Sequence, residues 1–110
     1  MKILLGIILT AIIANANCFD KDRLKSIELF EKAFKKSNVN IKNLRDFSKN
    51  NDTAVIVTFD DGSKRGLIWY DEKCNATSLK VSSGYGTVTM YYYQVVGKKL
   101  KLIKTRKNKY

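Results

Sequence analysis

The feature that most constrains this chain is a change in its hydrophobic period. Leu24, Ile27, Phe30, Ala33 and Phe34 recur at steps of three and four, whereas Val55, Val57 and Phe59 recur at steps of two. The first spacing gathers apolar side chains on one face of a helix, the second on one face of a strand. The chain therefore reads as α+β, with the helix first and the strands after it. One N-terminal helix packed on an antiparallel sheet of four to five strands is the compact arrangement of such a set.

The helix spans Asp20 to Lys36. Asp20 or Asp22 is placed to cap its start, and Lys35 and Lys36 complement the dipole at its end. Lys25, Glu28, Lys32 and Lys35 make the opposite, solvated face. A membrane-surface helix is the alternative use of such a stripe, and packing on a sheet is the commoner one. Val39 to Phe47 reads as a short strand or irregular segment, and Ser48 to Asp52 as a turn. Thr53–Asp60 and Lys64–Tyr70 form a hairpin around Asp61-Gly62. Asp71 to Ser78 is a polar loop holding Cys74, and Leu79 to Val81 a short strand. After the flexible Ser82–Gly86 turn, Thr87–Val96 and Lys99–Thr105 are strands joined at Gly97-Lys98. The last five residues read as a frayed tail.

Ahead of the helix, Lys2, the apolar run Ile3–Ile13 and the small-x-small triplet at Ala14 and Ala16 have the layout of a cleaved export signal. Residues 1–16 are thus expected to be removed, leaving one small domain over 17–110. Asn15 and Asn17 stand where a lipidated signal at Cys18 needs small or aliphatic residues. Export places the protein in the periplasm or outside the cell, where disulfides persist. Cys18 and Cys74 are the only cysteines, so an intramolecular bridge has one connectivity. Closing so long a loop contributes roughly 4 kcal/mol by chain entropy.

The net charge of +11 is unevenly placed. Residues 17–72 carry 11 bases and 10 acids, whereas residues 73–110 carry 9 bases and no acid. Seven of those bases are Lys98, Lys99, Lys101, Lys104, Arg106, Lys107 and Lys109. Such a one-sided field attracts anions. It fits an acidic protein or an anionic envelope component, either a polymer or a lipid head group. Export argues against nucleic acid. The plain alternative is a solvated edge strand whose lysines block unwanted pairing. Tyr91 and Tyr93 share one side of their strand, and one or other is the expected anchor beside Lys99, Lys101, Lys104 and Arg106; the commoner use of such residues is as sheet core with wet hydroxyl ends.

Catalytic chemistry is sparse. The chain has no His, which removes the usual general base and the commonest metal ligand. Asp60-Asp61 and Asp71-Glu72 are adjacent pairs, which point to opposite faces of an extended chain and suit turns better than a carboxylate dyad. No phosphate loop, nucleophile elbow or metal motif is present, so neither cofactor nor metal is expected. The sequence thus reads as a small exported binding protein of inhibitor, immunity or adaptor type. A binder of anionic envelope polymers or lipid surfaces is second, and a small secreted hydrolase third.

Overall fold

Six strands pair in chain order, more than the four to five expected from the sequence. In the computed structural model, which describes residues 18–51 and 53–109, the elements are α1 (Cys18–Lys21), α2 (Arg23–Lys36), β1 (Leu44–Asn51), β2 (Ala54–Phe59), β3 (Lys64–Tyr70), β4 (Ala76–Ser83), β5 (Thr87–Val96) and β6 (Lys99–Lys109). All strands form one antiparallel sheet in the order β1-β2-β3-β4-β5-β6. The architecture is α+β, as the change of period requires. The expected export signal, with Ala14 and Ala16, lies outside the described residues.

The extra strand is β1, and its concealment has a physical cause. Register shifts fall between Leu44 and Asp46 and between Lys49 and Asn51. A bulge inserts a residue and breaks the two-residue alternation. Leu44 and Phe47 therefore sit opposite Phe59 and Val57, on one face, although they are three positions apart. Arg45, Asp46, Ser48, Lys49 and Asn50 are polar and exposed, and the stretch 48–50 is therefore hidden as a turn. The final strand is also longer than expected. Its ladder with β5 runs to Thr87↔Lys109, so residues 106–109 are paired strand rather than a frayed tail.

The core lies between α2 and one face of the sheet. Phe30, Ala33 and Phe34 are buried against Val57, Phe59, Ile68, Leu79 and Val81. The rings of Phe30 and Phe34 meet Phe59 edge-on, with centroids 5.7 and 5.5 Å away. Burying side chains of this size contributes about 1.5–3 kcal/mol each. Gly66 lies directly beneath the helix, where a Cβ would come within 2.3 Å of the Phe30 ring. Leu24, assigned to the buried stripe by spacing, is instead 80% exposed. The buried line of α2 runs through Ser26, Phe30, Ala33 and Phe34, and Leu24 falls off it.

Two serines mark the ends of that buried line. Each donates to the carbonyl four residues earlier, Ser26 to Asp22 and Ser37 to Ala33. Their oxygens also meet the tyrosine hydroxyls of the sheet, at 2.8 Å for Ser26–Tyr70 and 2.6 Å for Ser37–Tyr93. Buried hydroxyls need such partners. Burial pushes the Tyr70 phenol up to about 12, partly offset by its hydrogen bond to Ser26.

Cys18 and Cys74 form a disulfide with Cα atoms 5.1 Å apart, tying α1 to the loop between β3 and β4. Beside it, Phe19 packs on Phe47 at 4.9 Å, and the Arg23 guanidinium lies 5.1 Å from the Phe47 ring centre. This cluster anchors β1 to the helical end of the molecule.

Candidate functional site: the open face and free edge of the sheet

Side chains alternate across a sheet, so the register divides them between the helix-covered face and an open one. On the open face, three cross-strand rows follow from the pairing. They are Arg65–Ser82–Met90–Arg106, Leu67–Lys80–Tyr92–Lys104 and Trp69–Ser78–Gln94–Lys101. Neighbouring residues of a row are about 5 Å apart.

The middle row brings an aromatic ring between two cations. Lys80 Nζ and Lys104 Nζ lie 5.9 and 5.7 Å from the centre of the Tyr92 ring. A cation over a ring face is stabilised by about 0.5–1 kcal/mol at exposed sites. The ring thus holds two ammonium groups near each other on one surface. β3, β4, β5 and β6 contain no acidic residue to neutralise them.

The seven sequence-predicted bases do not act as one patch. Lys99, Lys101, Lys104 and Arg106 pair with Val96, Gln94, Tyr92 and Met90, which places them on the open face. Lys98 sits in the β5–β6 turn. Lys107 and Lys109 pair with Thr89 and Thr87, on the opposite face. The expected anchors lie on the covered side. Tyr93 is 3% exposed, with its hydroxyl against Ser37 and the Ala33 carbonyl. Tyr91 is half-buried and packs against the core. Tyr93 is therefore not presented to a partner, because the helix lies over the face that Tyr91 and Tyr93 share. Of the tyrosine run, Tyr92 is the one on the open face, with Trp69 in the neighbouring row, and Lys80 and Arg65 join it from β4 and β3, outside the C-terminal bases singled out in the sequence. The alternation of the Tyr91–Tyr93 run was visible; which parity faced the helix was not.

A hollow of about 460 Å³ continues this face, floored by Ile56, Leu67, Val88 and Met90 and flanked by Arg65 and Lys80. At its rim the Tyr85 hydroxyl donates to Asp61 Oδ2 at 2.8 Å.

The acidic pairs are occupied at turns. Asp60 accepts from the Lys42 and Asn43 amides and from Lys64. Asp61 accepts from the Ser63 amide as well as from Tyr85. Asp71 accepts from the Lys73 and Asn75 amides. These donors hold all three carboxyls below the usual carboxylate range: the Asn43 amide leads at Asp60, Ser63 at Asp61 and the Asn75 amide at Asp71. Among the described residues there is no cluster of three or more His, Cys, Asp or Glu side chains able to hold a metal ion. Among them, too, no helix is long and apolar enough to cross a membrane. No protein-family model, curated protein or solved structure matches the chain.

Proposed function

We propose that this chain is a small exported, non-enzymatic binding protein of inhibitor, immunity or adaptor type, which docks on an acidic partner through the C-terminal half of its sheet. The observation that carries this reading is the Lys80–Tyr92–Lys104 row on a face whose last four strands hold no acid. Tyrosine supplies contact area at low entropic cost, and the surrounding bases steer an acidic surface toward it. The Cys18–Cys74 disulfide is consistent with an oxidising, exported compartment. Docking would act by occlusion, with the helix-backed core holding the sheet rigid.

The test is capture of partners from the source cells on the purified disulfide-bonded protein, washed at low and high salt. One stoichiometric acidic protein retained at high salt, and lost with Tyr92→Ala, is the expected result. Recovery of many polyanions or lipids, all released as salt rises, would move the function to anionic surfaces instead. Turnover of a hydrolase substrate panel would overturn the non-enzymatic reading.

A further inference from the structure

We propose that β6 receives an extended acidic segment of the partner as a seventh strand of the sheet, an inference that rests on the acidic-partner reading above and specifies how the partner is held. Among the described residues β6 is hydrogen-bonded to a neighbouring strand on one side only, through β5. Near its start the edge is closed by the helix, because Lys36 Nζ donates to the Leu100 carbonyl at 3.3 Å. Beyond that point nothing described covers it. Leu102 and Ile103 are 51% and 59% exposed, and every residue from Lys104 to Lys109 except half-buried Asn108 is exposed.

The free edge therefore has a distinct chemistry along its length. It begins with two bare apolar side chains at the bulge between Leu102 and Lys104. It continues with Lys104 and Arg106 on the open face and Lys107 and Lys109 on the other. An added strand places its side chains directly opposite these, where unlike charges stabilise and like charges destabilise the pair. A second copy of β6 would set base against base, so the edge rejects its own kind. The same bases select a strand carrying Asp or Glu on both faces, with apolar residues where it meets Leu102 and Ile103. Main-chain hydrogen bonds supply affinity in this mode of recognition, and the opposed side chains supply specificity.

The test is site-resolved amide exchange on the purified disulfide-bonded protein. The probe is a ten-residue peptide in which pairs of glutamates alternate with pairs of threonines, with two valines at one end, so that an extended strand carries glutamate on both faces. Strand addition slows exchange about tenfold or more at alternate amides between Leu102 and Lys109, those turned away from β5. A peptide with lysine in place of glutamate leaves them unchanged, and the variant Lys104→Glu with Arg106→Glu loses the protection. Binding of the acidic peptide that perturbs only the surroundings of Tyr92, with edge amides exchanging as before, overturns strand addition and leaves the acidic-partner reading standing. Equal protection by the lysine peptide overturns the charge selection. Absence of binding by this peptide, together with failure to capture any acidic protein, overturns both.

Discussion

The sheet has two halves built from the same ladder and used differently. In β2, β3 and β4 the helix-facing positions Val57, Phe59, Ile68, Leu79 and Val81 are buried under α2. In β6 only Leu100 is buried. The backbone bonding is alike in the two halves, so the ladder does not account for the contrast. Net hydrogen-bond contributions are about 0.5–1.5 kcal/mol each, whereas each large buried side chain contributes about 1.5–3 kcal/mol more. The helix-backed half thus fixes the fold, and the bare half is left free to carry charge.

Substitutions can break this contrast if it is wrong. Phe30→Ala, under the helix, is expected to cost about 3–5 kcal/mol in urea unfolding. A loss below about 1 kcal/mol would show that α2 is not what holds the sheet. Cys18→Ser with Cys74→Ser should cost about 2–4 kcal/mol in the same assay, through the unfolded chain. Raising the pH gives the next effect. The Tyr70 phenol is pushed up to about 12 in the fold, against an ordinary 10. Its contribution is therefore fully present below pH 10 and is lost as pH rises toward 12, by about 2–3 kcal/mol. Tyr70→Phe should remove that dependence from denaturation measured across this range. Within the tyrosine run, Tyr93→Phe should cost about 1–2 kcal/mol by stripping a partner from buried Ser37, whereas Tyr92→Phe should be close to neutral. The smallest effect belongs to the bare half. Lys104→Ala with Arg106→Ala should leave stability within about 1 kcal/mol, the size of the lost Lys104–Tyr92 contact, while weakening acidic ligands, as read by thermal unfolding beside a binding titration.

Much of the helix-backed half is legible in the sequence, because burial imposes a period. Phe30 and Phe34 mark the helix, and Val55 to Phe59 with the Asp61-Gly62 turn mark the β2–β3 hairpin. The disulfide follows from there being two cysteines. The bare half and the edges are less legible for the same reason in reverse. Bulges in β1 and β6 break the alternation, and exposed strands such as Ser48–Asn50 obey pairing geometry rather than hydropathy. Leu24 shows the limit even on the helix, where spacing permits two neighbouring stripes and only the sheet decides between them. The site was legible as charge but not as a surface. Which bases share a face with Tyr92 depends on which parity of β5 meets Ser37, a long-range contact that no local pattern encodes. Gly66 is a comparable case, since its missing side chain is needed only because Phe30 lies above it.

The sheet order also has a kinetic meaning. Each strand pairs with the strand that follows it in the chain, so every ladder closes a short loop and the sheet can zip hairpin by hairpin. Rates of folding rise as contacts become local. The long-range steps are few: docking of α2 on the sheet and closure of Cys18 onto Cys74. A refolding experiment should therefore find strand pairing rapid, with the burial of Phe30 and Phe34 and the formation of the disulfide setting the pace at which the finished molecule accumulates.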